Sequence, residues 1–340
     1  MRGVLVVTNQ RSRRGGRLAQ RVRSWLDRRE DAGADRSAAD RSATDENGPV
    51  GFRDLATFTA ETDPHAVPQR VVAVGGDGTL NAVLETLLRL ELDPLVGIVP
   101  AGTGNNLATG LGLPLDTTAA CAIAFESSAS LRIDVFPYGA PGAAKRRLIV
   151  QSGSFGFPAE ITARFDRLRQ SRAFRVVARP LGTSIYKLLA FCGLAAQKRR
   201  EARGEVLAVR CTFPRADGSE LAIEENVIAV FVHNEPTIGG GFVPCPDARV
   251  DDGLADICVL RAGTGRSYLE LFRLVGKGRH IEEKDTTIYE STPGPLRLEF
   301  STATPFVADG DIHECLRNYE VDVVPRRFAI VVPASKDVHR

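Results

Sequence analysis

The sequence predicts an α/β domain with a mainly parallel sheet, followed by an all-β, sandwich-like second domain. In the first part of the chain, short β-branched runs alternate with stretches of helical apolar spacing. This alternation is typical of a parallel sheet flanked by helices. Beyond Leu131 the apolar runs are short and are bounded by Gly, Pro or Asp, which favours an antiparallel sandwich or barrel. A chain of 340 residues is long enough for two such domains.

Apolar periodicity places the elements of the first domain, which we predict at residues 1–130. Strands are expected at residues 4–8, 71–74 and 95–99. Helices are expected at residues 17–29, 79–90 and 117–125. Residues 30–49 have almost no large apolar side chains, so we predict a flexible insertion there, because such a segment cannot offset its ordering entropy by burial. The second domain is predicted at 131–321, with a helical, basic segment at 161–203.

The composition excludes several classes of protein. The formal net charge of +2 gives no whole-molecule attraction to nucleic acid. Six cysteines without a C-x-x-C pair indicate neither a zinc site nor a redox motif. The best candidate for a membrane span, residues 185–196, is interrupted by Lys187 and is shorter than the roughly 20 residues that a span needs. No secretory signal is evident, so we expect a cytoplasmic protein.

The strongest functional signal is the glycine-rich turn Gly75-Gly76-Asp77-Gly78-Thr79, which lies between a predicted strand and a predicted helix. Glycines let the backbone approach a phosphate without a Cβ clash, and the N–H groups at a helix N-terminus bind anions. Asp77 would repel a bare phosphate, so we expect it to hold a Mg²⁺ ion or its waters, or to orient an acceptor hydroxyl. The alternative is a tight strand-to-helix turn with an aspartate near the N-cap.

A second turn of this kind, Gly102-Thr103-Gly104-Asn105-Asn106, follows the next predicted strand. In a parallel sheet both turns lie at the carboxyl ends of strands, where ligands usually bind. Thr103 could donate to a phosphate oxygen, whereas Asn105 is placed to cap the following helix. Neither turn has the Gly-Lys-Ser/Thr of a Walker loop. Two turns at matching positions nevertheless predict a single cradle for phosphates.

Together the two turns resemble the diacylglycerol kinase catalytic-domain family, which includes bacterial soluble lipid kinases and the sphingosine and ceramide kinases. The similarity continues in three further motifs, Gly-Gly-Gly-Phe at 239–242, Pro-Asp-Ala-Arg-Val-Asp-Asp-Gly-Leu at 246–254 and Asp-Gly-Asp at 309–311. The resemblance implies an α/β nucleotide-binding domain, a β-sandwich, and a return of residues 322–340 to the first domain. It also implies a kinase that uses ATP and Mg²⁺ and phosphorylates a hydroxyl of diacylglycerol or a related lipid.

The same resemblance assigns the nucleotide contacts. A first loop at residues 9–13 matches the family only at Asn9 and Ser12. The first glycine turn and the start of its helix would wrap the phosphates, and the second turn would contact the nucleotide. The implied cofactor-binding set is Asn9, Ser12, Gly75, Gly76, Gly78, Thr79, Asn81, Gly102, Thr103 and Asn105.

The Asp-rich motif matches the family's structural Mg²⁺ site. There Asp252 would give a carboxylate, and Arg249 and Leu254 would give backbone carbonyls. An all-oxygen set of ligands suits Mg²⁺. Without the resemblance, an ordinary Asp-Gly turn is the favoured alternative.

The catalytic base in this family is usually the glutamate of an Asp-Gly-Glu motif, and the matching residue here is Asp311. Its side chain is one methylene shorter, so its backbone lies closer to the acceptor or it acts through a water. We expect Asp311 and Asp77 to be the catalytic residues, with Glu314 as the alternative base. Asn106 stands where the family frequently has an aspartate, and His313 is expected at the surface.

Residues 164–203 predict a membrane contact. They contain eleven Arg and Lys residues against only Asp166 and Glu201, with the apolar stretch 185–196 between two basic clusters. A basic, amphipathic helix is attracted to an anionic membrane surface. The expected partner is therefore a lipid substrate, reached transiently at the inner face of the membrane; a solvated basic face over an internal helix is the alternative. A homodimer is compatible with the sequence, which leaves the oligomeric state open.

Two other functions stay open. NAD kinases resemble the chain around the Gly-Gly-Asp-Gly turn, although the second turn and the Asp-rich motif are more similar to lipid kinases. The second open function is that of a nucleotide- or lipid-binding regulator without turnover, because the first loop and Asp311 depart from the family pattern. Assays of NAD and diacylglycerol side by side test the first, and ATP binding without phosphate transfer would indicate the second.

Overall fold

The computed structural model describes residues 3–10, 15–34, 50–102, 104–144, 146–170, 184–238, 241–265 and 267–334. The strands are β1 Val4–Thr8, β2 Val50–Asp54, β3 Arg70–Gly75, β4 Leu95–Pro100, β5 Ser130–Gly139, β6 Arg147–Ile149, β7 Ser152–Gly156, β8 Leu207–Pro214, β9 Glu220–His233, β10 Ala255–Arg261, β11 Thr287–Thr292, β12 Leu296–Ala308, β13 Asp311–Val321 and β14 Val324–Val331. The helices are α1 Gly15–Ala34, α2 Leu55–Glu61, α3 Asp77–Arg89, α4 Asn106–Gly110, α5 Thr117–Glu126, α6 Phe157–Gln170, α7 Ser184–Glu201 and α8 Tyr268–Val275. Single 3₁₀ turns lie at Pro64–Ala66 and His280–Glu282.

The described residues form two compact units. The α/β unit contains the chain up to Ile133 and from Arg326 onward, and the β unit contains Asp134–Pro325. β14 begins in the β unit and continues in the α/β unit, where it lies beside β4 with Ile330 opposite Val96.

The sheet of the α/β unit has the strand order β2-β1-β3-β4-β14. The pairings of β1 with β2, β1 with β3, β3 with β4 and β4 with β14 are all parallel. Buried, β-branched runs such as VLVV in β1 are typical of strands covered on both faces. Because these strands run in one direction, the carboxyl ends of β1, β3 and β4 lie along one edge of the sheet.

Helices cover this sheet with apolar side chains at helical spacing. Leu18, Val22 and Trp25 of α1 pack in one cluster with Phe125 of α5 and with the valines of the strands. The rings of Trp25 and Phe125 stack with centroids 5.5 Å apart. α3 buries a further stripe, Leu80, Val83, Leu84 and Leu87. α3 and α5 are the helices predicted at 79–90 and 117–125.

Two predictions for this unit need correction. α1 continues to Ala34, so residues 30–34 of the predicted flexible insertion are helical, and residues 35–49 lie outside the described residues. A lack of large apolar side chains argues against burial, but Glu30, Ala32 and Ala34 are good helix formers and can extend an existing helix. Strand β2 and helix α2 were not predicted, because the side chains of β2 are at most half-buried and its apolar pattern is weak.

The β unit is built from antiparallel strands in the order β11-β10-β9-β7-β12-β13, and β8 pairs with both β9 and β12. Phe155 of β7 lies opposite Phe306 of β12 and Val230 of β9. Its ring stacks on Phe306 at 4.2 Å and meets Tyr319 edge-on at 4.9 Å. These aromatic side chains form the centre of the core of the unit.

The helical segment predicted at 161–203 consists of α6 and α7, and residues 171–183 lie outside the described residues. Arg200 of α7 makes a two-point ion pair with Glu160 of α6, at 2.9 and 2.7 Å. Leu194 is buried in one apolar cluster with Phe157 and Ile161. This part of the apolar stretch 185–196 therefore packs inward. Among the described residues, no helix combines the length and the hydropathy needed to span a membrane.

His233, the last residue of β9, is fully buried and predicts acid sensitivity of the fold. Its Nδ1 lies 3.0 Å from the carbonyl oxygen of Glu235, and burial lowers the pKa of the ring to about 4. An unfolded histidine titrates near pH 6.5, so on acidification the unfolded chain takes up a proton before the folded one does. We expect this residue to remove on the order of 3 kcal/mol from the free energy of unfolding between about pH 7 and pH 4.

Urea unfolding at about pH 7, 5.5 and 4.5 measures this effect. The stabilisation is present above pH 6.5 and is lost as the pH falls towards 4. His233→Gln removes the titrating group, so the variant should lose less stability on acidification than the wild type. His280 and His313, whose pKa values burial also lowers, contribute equally in both proteins. An equal loss of stability in the variant and the wild type would contradict the assignment.

Candidate active site

The two glycine-rich turns lie side by side in the α/β unit. β3 and β4 are adjacent, with Gly75 opposite Pro100, and the Ala101 N–H donates to the Gly75 carbonyl at 2.8 Å. A methyl carbon added to Gly102 would lie only 2.6 Å from Cα of Gly76, so the two backbones approach too closely for any side chain. The prediction that the two turns lie next to each other is confirmed, and together they form one cradle of backbone.

Asp77 begins α3 and its carboxylate stands at the second turn. The N–H groups of Thr79 and Leu80 donate to the Gly76 carbonyl at 3.0 and 3.2 Å, which closes the first turn. A Cβ atom added to Gly104 would lie 2.9 Å from Oδ2 of Asp77. A carboxylate in this place repels an unaccompanied phosphate, so the cradle fits phosphates whose charge a cation neutralises.

Asn105 shapes the second turn with its side chain. Its Oδ1 accepts the Gly102 N–H at 2.7 Å, and its Nδ2 donates to the Gly102 carbonyl at 3.1 Å. The residue has a left-handed backbone, with φ 52°, and occupies the N-cap position of α4 without a side-chain cap bond. Asn105 is therefore the N-cap residue as predicted, but its amide makes no cap bond because it holds the turn closed. Thr103 lies outside the described residues.

The remaining residues predicted for the first turn differ in exposure. Thr79 is buried and its side chain packs under Gly75, so it supports the turn from below. Gly78 is exposed and Asn81 is half-buried on α3. Of these three residues, Gly78 and Asn81 are accessible to a ligand, and the buried hydroxyl of Thr79 is not.

The first loop starts at the carboxyl end of β1, on the same edge of the sheet. Asn9 is half-buried there, and Ser12 lies outside the described residues. The N–H of Gln10 donates to Oδ1 of Asp54 at 3.0 Å, and Oδ2 of Asp54 caps α2 by accepting the Ala56 N–H at 3.1 Å. Sequence reasoning missed Asp54, although an aspartate before a short apolar helix is a recognisable N-cap signal.

In the β unit, the turn between β12 and β13 is fixed by Asp309. Its Oδ2 accepts the Val150 N–H at 2.8 Å, and its Oδ1 accepts the N–H groups of Gln151 and Ser152, both at 2.9 Å. The residue has a φ of 49°, a left-handed conformation that aspartate tolerates better than most residues. Three charge-assisted hydrogen bonds hold the turn, and Gly310 completes it.

Asp311 is the first residue of β13 and lies opposite Ala308. Its side chain is exposed, so it is free to meet a substrate. His313 is half-buried, not at the surface as the sequence predicts, and its ring meets Tyr138 edge-on at 5.6 Å. Burial lowers the pKa of His313 and the charge of Arg147 lowers it further, while Asp311 raises it.

The Asp-rich loop is anchored by Asp134, which sequence reasoning missed. The Gly253 N–H donates to Oδ2 of Asp134 at 2.7 Å, and the Asp134 N–H donates to the Val250 carbonyl at 2.6 Å. Within the loop, the Leu254 N–H donates to Oδ1 of Asp252 at 3.0 Å. Asp134 precedes the loop by more than a hundred residues, so no local pattern connects the two.

Asp251, Asp252 and Asp256 are grouped around this loop, and Asp251 forms an ion pair with Arg249 at 3.6 Å. Burial raises the pKa of Asp252, and the charge of Asp251 raises it further. Asp256, also buried, accepts hydrogen bonds from the hydroxyls of Tyr289 and Ser291 at 2.8 Å each. In the described part of the chain, no group of three or more His, Cys, Asp or Glu side chains is placed to hold a metal ion. A cation at this loop would have to be bound by one carboxylate, backbone carbonyls and waters, which are donors that Mg²⁺ accepts.

Comparisons with known proteins agree with this architecture over most of the chain. Residues 3–137 match the family model described as "Diacylglycerol kinase catalytic domain". Residues 204–332 match the model described as "YegS C-terminal NAD kinase beta sandwich-like domain". A protein of Pseudomonas aeruginosa (strain UCBPP-PA14), named "Probable lipid kinase YegS-like", is 30% identical over 276 residues, which cover 79% of this chain and 78% of the relative. The chain belongs to the YegS-like, diacylglycerol kinase catalytic-domain family.

Further relatives and structures are consistent with this family. A protein of the same name from Stenotrophomonas maltophilia (strain K279a) is 29% identical over 288 residues, covering 83% of this chain and 84% of the relative. A crystal structure described as a diacylglycerol kinase from Bacillus anthracis str. Sterne superposes with a TM-score of 0.65 at 17% identity, covering 98% of both chains. This structure shows a shared fold. The family predicted from the two glycine turns and the Asp-rich motif is confirmed, as is a sandwich-like C-terminal domain.

Proposed function

We propose that this YegS-like family member is an ATP-dependent lipid kinase, which transfers the γ-phosphate to a hydroxyl of diacylglycerol or a related lipid. The observation that carries the proposal is the close approach of Gly76 and Gly102 beside the carboxylate of Asp77. Names of relatives support a lipid as the acceptor.

Backbone groups of the α/β unit would bind the triphosphate. The first turn leads into α3, a helix of 13 residues, whose N-terminal N–H groups and dipole attract anions. Gly76 and Gly102 keep the surface free of side chains, so phosphate oxygens can reach the backbone. Most of the rate enhancement in phosphoryl transfer comes from such positioning and electrostatic stabilisation.

Asp311 would act as the general base. In the proposed step it accepts the proton of the lipid hydroxyl while that oxygen bonds to the γ-phosphorus, and the bond from phosphorus to the bridging oxygen of ADP breaks. The exposed position of Asp311 and the fixed turn at Asp309 support this role, because a base must be reachable and held in place.

Mg²⁺ would be held at two places by residues of this chain. Asp252, with the carbonyls of Arg249 and Leu254, would form the structural site of the family, and Asp77 has its carboxylate at the second glycine turn. When bound near phosphates, Mg²⁺ neutralises their charge. The task of Asp77 would be to orient this ion or its waters against the phosphates.

The lipid would be reached at an anionic membrane surface, with α6 and α7 as the contact. Arg164, Arg167 and Leu168 are exposed on α6, and Lys198, Arg199 and Arg203 are exposed near the end of α7. Arg200 and Leu194 do not belong to this contact, because Arg200 is paired with Glu160 and Leu194 is buried. The four exposed arginines and Lys198, together with the apolar side chain of Leu168, suit an interfacial contact.

Phosphorylation of a lipid panel with radiolabelled ATP in mixed micelles tests the function. The panel contains diacylglycerol and other lipids with a free hydroxyl, in micelles with and without an anionic lipid, and NAD as a soluble acceptor. We expect Mg²⁺-dependent labelling of a lipid, stronger with the anionic lipid, and its loss in Asp77→Ala. Labelling of NAD and no lipid, or ATP binding without any labelled product, would contradict the proposal and support the other two functions.

A further inference from the structure

Asn234 lies at the centre of a buried hydrogen-bond network in the β unit. It directly follows β9 and is fully buried, with 0% of its surface exposed. Its Nδ2 donates to the carbonyls of Asp134 at 2.8 Å and Val150 at 2.9 Å. Its backbone N–H donates to the Gln151 carbonyl at 2.8 Å. One residue therefore joins two segments of the chain that are not neighbours in sequence.

The first branch of the network leads to the Asp-rich loop. Asp134, whose carbonyl accepts from Asn234, donates its N–H to the Val250 carbonyl at 2.6 Å. Its Oδ2 accepts the Gly253 N–H at 2.7 Å. Gly253 is the neighbour of Asp252, so Asp134 connects this loop to Asn234.

The second branch leads to the turn before Asp311. Val150 and Gln151 accept from Asn234 with their carbonyls and donate their N–H groups to the carboxylate of Asp309, at 2.8 and 2.9 Å. The Asp309 N–H in turn donates to the Ser152 carbonyl at 2.8 Å. The peptide groups at 150–152 are thus held between Asn234 on one side and Asp309 on the other.

The amide of Asn234 is not what packing alone would select. Both acceptors of its Nδ2 are carbonyl oxygens, which fixes the orientation of the amide. Its Oδ1 is buried and has no hydrogen-bond partner among the described residues. A buried acceptor without a partner costs stability. The two N–H donors of the side chain provide hydrogen bonds to Asp134 and Val150, which an apolar residue of the same size would lack.

We propose that Asn234 is a positioning residue, which holds the Asp-rich loop and the Asp309 turn in one arrangement, so that order in the loop is transmitted to Asp311. The roles of the Asp-rich loop, with Asp252, and of Asp311 rest on the proposed function. The hydrogen bonds of Asn234 are independent of it. The competing explanation is that Asn234 only stabilises the β unit. Transmission predicts that a change at the loop is felt at the turn, and simple stabilisation does not.

Hydrogen–deuterium exchange of the full chain, with and without Mg²⁺, separates the two explanations. In the wild type we expect Mg²⁺ to slow exchange about fivefold or more, both in peptides covering 249–254 and in peptides covering 309–313. In Asn234→Ala the effect should persist at the loop and disappear at the turn. Asn234→Ser, which keeps one donor, serves if the alanine variant does not fold, and should show a reduced effect at the turn.

Thr292→Val is the matched control. Thr292 is also fully buried, and its hydroxyl donates to the Pro214 carbonyl at 2.7 Å and accepts the Gly294 N–H at 3.0 Å. The variant therefore removes two buried hydrogen bonds of the β unit outside the network. We expect it to lower stability and to leave the Mg²⁺ effect at the turn unchanged.

Kinetics give a second measure of the same inference. In Asn234→Ala we expect kcat to fall about tenfold or more with little change in the KM for ATP, because the residues of the phosphate cradle belong to the α/β unit. Three exchange results would overturn the inference. The Mg²⁺ effect at the turn could persist in both Asn234 variants, it could be lost in Thr292→Val, or the wild type could show no Mg²⁺ effect. The expected exchange pattern in a protein that phosphorylates no lipid would instead reject the proposed function and leave the positioning role intact.

Discussion

Gly102→Ala should reduce lipid phosphorylation by about 100-fold or more. The added methyl carbon would lie 2.6 Å from Cα of Gly76 and 2.8 Å from Oδ1 of Asn105. Neither contact can be relieved by rotating a flexible side chain, because one partner is backbone and the other is an amide held by two hydrogen bonds. The two turns must therefore move apart, and displacements of about 1 Å at a positioned phosphate are enough for losses of this size. Steady-state kinetics with varied ATP measure the effect.

Gly16→Ala is the control for this substitution. A Cβ atom added to Gly16 would meet no atom within 4 Å, and alanine is a better helix former than glycine in α1. We expect unchanged kinetics and an equal or slightly higher melting temperature. If Gly102→Ala kept more than about a tenth of the wild-type kcat/KM for ATP, the two turns would not form the phosphate site that we describe.

Asp311→Asn should lower kcat by roughly 10²- to 10⁴-fold, the range typical for loss of a general base. The variant keeps the size of the side chain and cannot accept a proton at neutral pH. Because Asp311 is exposed, we expect little change in the melting temperature or in the KM for ATP. Measurement of kcat with saturating ATP and lipid gives the loss directly.

Two further variants sharpen the assignment of the base. Asp311→Glu restores the longer side chain that the family usually carries, and it should keep at least wild-type kcat. Glu314→Gln removes the other candidate carboxylate of this strand and should leave kcat within a factor of about two. Loss of activity in Glu314→Gln with full activity in Asp311→Asn would transfer the role of the base to Glu314.

The phosphate cradle could be predicted from the sequence because its parts are local. Each glycine turn follows a β-branched run and precedes a segment with apolar residues at helical spacing. The turn, its strand and its helix are therefore encoded within about twenty residues. Parallel pairing then brings the carboxyl ends of neighbouring strands to one edge. The structure accordingly has Gly75 opposite Pro100, and the two turns touch.

Side-chain functions inside the turns could not be predicted in the same way. Asn105 follows a glycine and precedes a helix, which is the ordinary signature of an N-cap. Its left-handed backbone instead directs the amide to Gly102. The choice between these two arrangements depends on the approach of Gly76, which belongs to a different strand-turn-helix segment.

Residues that connect distant segments also escaped the sequence. Asp309 binds backbone N–H groups at 150–152, Asp134 binds the Gly253 N–H, and Asn234 bridges Asp134 and Val150. These partners are separated by 84 to 159 residues, and a single sequence contains no signal for such pairs. A buried aspartate or asparagine at the end of a strand marks only that some long-range partner is required.

The claim that the two glycine turns form one site for the ATP triphosphate is tested most directly by a crystal structure with a non-hydrolysable ATP analogue and Mg²⁺. We expect the phosphates to contact backbone of both turns, at residues 76–79 and at residues 102–105, with Mg²⁺ or its waters between the phosphates and Asp77. A triphosphate bound elsewhere, or bound to one turn with the other facing empty solvent, would contradict the account.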